Sequence, residues 1–296
     1  MPFIGELSAL LTAFLWSGTS IVFTEATTRV GSIQVNITRL LMALVMLLLS
    51  ILVLGLDLQL SSTQIMNLTW SGIVGLVLGD SFLFRAFKDI GARVSMLIMS
   101  LVPGFTAGMA LVFLGESLSF QAVAGMVVTM TGVGIVVLDR RPAAAGKYRI
   151  TPKGLLFALL GALGQASGLI FAKQAFVEAP IHGLVATTVR IATAVIIFLP
   201  MAMLFRWYRN PFKVYARDRA ALGYTATGAV LGPFLGITFS FIAIAFTEVA
   251  VATTIMALPP IIMLPLVRYY YHEHLSIRAI GGAVLAVAGV AVLFLR

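Results

Sequence analysis

Long apolar stretches separated by short polar gaps dominate this chain. Stretches free of Lys, Arg, Asp and Glu cover residues 7–24, 40–56, 58–79, 94–115, 117–138, 154–172, 191–205, 220–247, 249–267 and 279–295. A bilayer core of about 30 Å is crossed by a helix of about 20 apolar residues, so the pattern predicts ten membrane-spanning helices. The runs are continuously apolar and do not alternate with polar residues in segments of about ten, which excludes a membrane β-barrel. The first run follows "MPFIGELSALLTAFLW" with no basic residue ahead of it, so it reads as a spanning helix and not as a cleavable signal peptide.

The polar gaps add an orientation. Counted from the N-terminus, the odd gaps hold Arg29, Lys88, Arg93, the clusters 140–153 and 206–219, and Arg278, while the even gaps hold almost no Lys or Arg. Basic loops stay on the cytoplasmic side, which places both termini on the opposite side, the periplasm of a bacterial inner membrane.

Composition agrees with the pattern. Of 296 residues 60% are apolar and 10% charged, and the mean hydropathy is +1.05; soluble domains carry about 25% charged residues. The net charge of +9 comes from clusters beside apolar runs, such as "DRRPAAAGKYRITPK" (139–153) and "RWYRNPFKVYARDR" (206–219). That placement suits an anionic lipid leaflet and argues against nucleic acid as a partner. With no cysteine, disulfides, thiol chemistry and cysteine metal sites are excluded. The three histidines are His182, His272 and His274; the last two flank Glu273 at a helix end and read as loop residues, not as a metal site. No Walker loop is present, so neither ATP nor any cofactor or metal is expected, and no enzymatic chemistry.

The chain repeats itself. Residues 98–138 align with 255–295 at a constant offset of 157, with about a third of positions identical. Pro103 falls on Pro260, Glu116 on Glu273, Leu118-Ser119 on Leu275-Ser276, Gly125 on Gly282 and Gly132 on Gly289. Upstream, "AFLWSGTSIVFTEA" (13–26) lies over "ALGQASGLIFAKQA" (162–175), and Arg39 falls close to Arg190. The expected units are residues 1–146 and 147–296, five helices each. An odd number inverts the second unit, the arrangement by which many secondary transporters obtain two exchangeable conformations around one central site.

The paired stretches "LVPGFTAGMALVFLGESLSFQAVAGMVVTMTGV" and "LPPIIMLPLVRYYYHEHLSIRAIGGAVLAVAGV", with "GDSFLFRAFKDIGARVS" and "GPFLGITFSFIAIAFTEVAVAT", resemble the ten-helix EamA-type branch of the drug/metabolite transporter superfamily over essentially the whole chain. The resemblance implies a 5+5 inverted-repeat helical bundle around a central cavity lined by helices 1–4 and 6–9, with helices 5 and 10 peripheral. It also implies transport of a small metabolite, often outward.

Asp80 stands out because a charge at mid-bilayer costs about 2.5–3.5 kcal/mol on insertion scales. Counting at 1.5 Å per residue puts Arg39 at a similar depth, so the two are expected to pair. The pair is either structural or part of proton and substrate handling; the remaining alternative is an aspartate that caps a helix break. At the offset of 157 Asp80 maps onto Ile237, so Arg190 lacks the partner that Arg39 has. Arg190 either snorkels to the interface or meets an anionic substrate group. Phe84 and Phe241 match under the repeat, as do Trp16 and Gln165; all four are candidates to line the cavity, with helix packing as the alternative. Pro103, Pro259 and Pro260, with Pro265, break helices 4 and 9 as kinks or as markers of the site.

Glu116 and Glu273 are expected to cap the helices that follow them, and the tyrosines 269–271, Trp207 and Tyr208 to form an interfacial belt. The glycine stripes Gly125/Gly132 and Gly282/Ala286/Gly289 predict close packing of helices 5 and 10, within one chain or across a homodimer. Together these features predict a multi-pass transporter that exports or exchanges a small, amino-acid-like solute, with protons as a possible coupling ion. Exchange of phosphorylated or nucleotide-linked solutes, or a receptor that binds without transport, are the alternatives.

Overall fold

The computed structural model describes residues 3–139, 151–262, 264 and 276–295. Pro265, the tyrosines 269–271, His272, Glu273, His274 and most of the basic cluster 140–153 lie outside the described residues. Among those described, the chain is helical without strands. In order come α1 (Ile4–Val30), α2 (Ser32–Leu54), α3 (Ser62–Ser71), a π-helical segment (Gly72–Gly79), α4 (Asp80–Met99), α5 (Val102–Phe113) and α6 (Phe120–Asp139). The second half runs through α7 (Pro152–Glu178), α8 (Gly183–Leu204), α9 (Pro211–Arg217), α10 (Arg219–Ala229), a second π-helical segment (Val230–Gly236), α11 (Ile237–Phe246), α12 (Val249–Met256) and α13 (Ile277–Phe294).

Seven of the described helical spans are long and apolar enough to cross a membrane: 32–54, 62–86, 120–138, 152–178, 183–204, 219–246 and 277–294. Val102–Phe113 and Val249–Ile262 are shorter apolar helices. Large apolar side chains stand on the outside, among them Leu52 at 77%, Val53 at 82% and Ile196 at 69% exposure. Such a surface is stable only against lipid, so the protein is a multi-pass membrane protein.

Local chemistry sets the helix ends. Ser61 opens α3 with a capping box: its side chain accepts from the Gln64 amide at 3.0 Å, and Gln64 Oε1 accepts from the Ser61 amide at 3.1 Å. Thr151 and Pro152 start α7. Gly31, at φ +93°, turns α1 directly into α2, a conformation that any side chain would strain.

The two halves repeat structure as well as sequence. Adding 157 to the first π-helical segment gives the position of the second to within a residue, and both end in glycine, Gly79 and Gly236. The break between α4 and α5 falls at Ser100–Leu101 and the break after α12 at Ala257–Leu258, again 157 apart. Ser119 and Ser276 cap α6 and α13 through matching 3.1 Å bonds to the amides of Ala122 and Ala279. Pro233 helps to explain the second π-helical segment, because it lacks the N–H that the helical ladder requires.

Charge-free runs misplace some helix boundaries. α2 begins before Arg39 and α8 before Arg190, because both arginines are housed inside helices. Lys88 and Arg93 do not lie in a loop: α4 continues through them to Met99.

The glycine stripes are buried within the chain. A Cβ on Gly132 would lie 2.5 Å from the Gly282 oxygen, and one on Gly125 3.0 Å from the Gly289 oxygen. α6 and α13 therefore cross backbone against backbone.

Candidate functional site

Arg39 and Asp80 meet in the bundle interior, where Asp80 is only 6% exposed. Arg39 Nη2 donates to Asp80 Oδ2 at 2.6 Å, and Gln165 Nε2 donates to Asp80 Oδ1 at 2.7 Å. Arg39 Nε donates to Asn36 Oδ1 at 2.9 Å, one helical turn back on α2. The guanidinium lies between two rings, its carbon 5.0 Å from the Phe23 centroid and 5.1 Å from that of Phe84. A buried ion pair survives only when its remaining donors and acceptors are satisfied, and here carboxylate, amides and rings do so.

Glycine lets Gln165 approach. A Cβ on Gly164 would sit 2.7 Å from the Gly79 Cα, and one on Gly168 2.9 Å from the Gly75 Cα. α7 thus rests directly on the first π-helical segment, which delivers Gln165 to the aspartate at the start of α4.

Arg190 is different. It is 2% exposed, so it does not snorkel to an interface. Its guanidinium carbon lies 5.2 Å from the Phe241 centroid, and a Cβ on Gly75 would collide with its Nη2. Buried Nε has no hydrogen-bond partner among the described residues, and neither does the Oγ1 of Thr187, three residues earlier on α8. Asp80 is influenced electrostatically by Arg190 as well as by Arg39. Among the described residues, two arginines and one aspartate leave this group one positive charge in excess.

Trp16 is partly buried, with Nε1 packed against Gly236. Phe241 is fully buried and meets Phe176 edge-on at 5.7 Å. Pro103 and Pro259 are buried at the two helix breaks. The side-chain bond that ties α5 to α12 there runs through Thr106 and Thr253, at 2.7 Å.

Side-chain bonds tie helices together at both ends of the bundle. At the end that carries the termini, Lys173 donates to the carbonyls of Ile244 (2.6 Å) and Thr247 (3.1 Å) and lies 3.7 Å from Glu116. Glu116 does not cap the helix after it: its carboxylate accepts from the Val249 amide at 3.1 Å and caps α12, while Ser119 caps α6. Burial pushes the Glu116 carboxyl above its usual range against the pull of Lys173. Thr247 also donates to Glu6 at 3.1 Å.

At the opposite end Gln34 exchanges two bonds with the Arg209 backbone (3.0 and 3.1 Å), and Tyr208 bonds Thr38 at 3.1 Å. Tyr208 is therefore one of these ties, while Trp207 stacks on Phe205 with centroids 4.9 Å apart.

Asn36, Phe23, Lys173 and Thr187 were not legible as site residues. Asn36 had a signal, an amide one turn before a buried arginine. Lys173 ended a charge-free run at Ala172 and so read as a boundary.

Comparison with known proteins fits this geometry. Residues 3–138 and 152–295 each match the EamA-like transporter family. A solved structure titled "Crystal structure of protein" superposes with a TM-score of 0.79 at 20% identity, covering 100% of this chain and 98% of that one, which establishes a shared fold. No curated protein matches the chain. Two matched repeats that take in nearly every described helix, with breaks and π-helical segments in register, lead to one conclusion: the chain belongs to the EamA-like transporter family.

Proposed function

We propose that this protein is a secondary transporter of ten spans in a 5+5 inverted repeat, seated in a bacterial inner membrane with both termini in the periplasm. It exports or exchanges a small organic solute, amino-acid-like in size, by alternating access. The observation that carries this reading is Arg190: a guanidinium 2% exposed, with Nε lacking a hydrogen-bond partner among the described residues. An unpaired buried charge is costly, and a solute that supplies an anionic group at each cycle relieves that cost. Phe84 beside Arg39, Phe241 beside Arg190, Gln165 on Asp80 and Trp16 against Gly236 would give an amphipathic solute rings and an amide to contact.

Counterflow in liposomes tests this reading, with vesicles preloaded with an unlabelled solute and supplied outside with the same solute radiolabelled. Amino acids, simple carboxylates and sugar phosphates form the panel. The expected result is accumulation of at least one anionic or zwitterionic solute, reduced at least about tenfold by Arg190→Gln, the cost of one lost charged contact of about 1.4 kcal/mol or more. Binding of a solute without counterflow of any would make the protein a receptor and end the transport reading.

A further inference from the structure

Aligned by the repeat, the Arg39 group and the Arg190 group differ in one systematic way. Arg39 and Arg190 are 151 apart, and the same offset carries Asn36 onto Thr187. Each arginine is the eighth residue of its helix. Each lies over a phenylalanine at nearly the same distance, 5.1 Å for Phe84 and 5.2 Å for Phe241. Those rings follow Asp80 and Ile237 by four residues, at the start of α4 and α11 directly after the π-helical segments.

The donor to Asp80 is Gln165, and its counterpart at an offset of 149 is Trp16, whose indole Nε1 packs on Gly236, beside Ile237. Trp16 Nε1–H makes no hydrogen bond to the described residues. The second group therefore repeats the arginine and the aromatic ring from the second half and the N–H donor from the first, the mirror image of the Arg39 group. It lacks the carboxylate, because Ile237 stands in place of Asp80, and Thr187, in place of Asn36, makes no bond to Arg190 Nε. Among the described residues the two orphaned buried side-chain atoms, Arg190 Nε and Thr187 Oγ1, belong to this one group.

From this mismatch we infer that the second group is a carboxylate seat: Arg190 and Trp16 bind the substrate's carboxylate beside Ile237, as Arg39 and Gln165 hold Asp80, and Thr187 steadies Arg190 as Asn36 steadies Arg39. The inference rests on the transport reading above only for naming the occupant a substrate. The seat itself is a binding property of the protein. Charge selects the class. Among the described residues the group carries one excess positive charge, so a monoanionic carboxylate neutralises it, while a phosphate dianion leaves a buried negative charge. The planar fork of Arg190 also matches a carboxylate in two parallel bonds.

The decisive variant is Ile237→Asp, which supplies the missing carboxylate from the chain itself. In full-length protein in nanodiscs, Ile237→Asp is expected to raise the melting temperature by several degrees. In an Arg190→Gln background the same substitution is expected to lower it. Equal destabilisation in both backgrounds would overturn the seat.

The second arm measures melting-temperature shifts with acetate, propionate and phenylacetate against their amides and methylphosphonate. Carboxylates are expected to stabilise the wild type. The shift should vanish in Ile237→Asp, and the apparent affinity should fall at least tenfold in Trp16→Phe and in Thr187→Val. Equal shifts with carboxylates and amides, larger shifts with methylphosphonate, or no shift with any of them would each overturn the carboxylate assignment. If the seat passes and counterflow of the same carboxylates fails, the transport reading falls alone; if counterflow passes and the Ile237→Asp coupling fails, the seat falls alone.

Discussion

Asp80→Leu is expected to lower the melting temperature by about 6–10 °C. Loss of one partner from a buried ion pair costs about 3–5 kcal/mol, and a chain of this size loses about 2 °C per kcal/mol. The cost is high because Arg39 stays behind, with Asn36 and two rings but no carboxylate to neutralise it. Gln165 also loses its acceptor. Arg39→Met added to Asp80→Leu should recover most of the loss, since an apolar pair of similar volume replaces a charged one at little cost. If the double variant is no more stable than Asp80→Leu alone, the ion pair is not what Asp80 contributes.

The conservative Asp80→Asn separates stability from coupling. It keeps an acceptor for Gln165 and removes the titratable group. If Asp80 takes a proton during the cycle, counterflow or uptake by this variant loses its dependence on an imposed pH gradient while exchange at equal pH survives. Wild-type rates with the wild-type gradient dependence would remove proton handling from the account of Asp80.

Gly132→Leu is expected to destabilise by about 3 kcal/mol or more, at or beyond the upper end of ordinary overpacking penalties. The obstacle is backbone: a Cβ there would fall 2.5 Å from the Gly282 oxygen and 2.8 Å from the Ala286 Cα. Neither atom can rotate away, so α6 and α13 must separate along the whole crossing and lose the contacts of Gly125 with Gly289 as well. Gly134 is the control on the same helix, because a Cβ there meets nothing within 4 Å. Gly134→Ala should leave stability unchanged or slightly raised, as Gly in a helix interior costs roughly 0.5–1 kcal/mol relative to Ala. Thermal unfolding of the two variants side by side checks both. Similar losses in each would mean that α6 and α13 do not cross as described.

Particular residues show how far the sequence could be read. Asp80 and Arg39 could be matched by depth alone, because both interrupt apolar runs and helix rise converts position into height. Arg190 was recognisable as the counterpart of Arg39, but its burial was not. Seen along the chain it stands at the edge of a charge-free run, 191–205, the same pattern a snorkelling residue makes. Only the packing of α8 against Gly72 and Gly75 shows that the side chain has no path to an interface.

Glu116 was misread for a related reason. A carboxylate next to a helix start looks like that helix's cap, and nothing local reveals that α12 brings a closer unsatisfied amide, that of Val249. Lys88 and Arg93 looked like loop residues because charge was used to find the helix ends. A helix backbone does not stop for charge, and α4 runs on until Ser100.

What the sequence determined by itself is what depends on runs and repeats: a helical membrane protein, two related halves, close packing along the glycine stripes (though not whether within one chain), and an acid that must face inward. Each follows from hydrophobic length, the offset of 157 or the cost of charge in lipid, and none requires coordinates. The tertiary structure decided which polar groups are satisfied. Satisfaction depends on atoms brought together from distant segments, such as Gln165 on Asp80, Lys173 on the end of α11 and Trp16 on Gly236. A periodic pattern cannot encode those distances, so the contrast between a completed Arg39 and an incomplete Arg190 emerges only once the helices are packed.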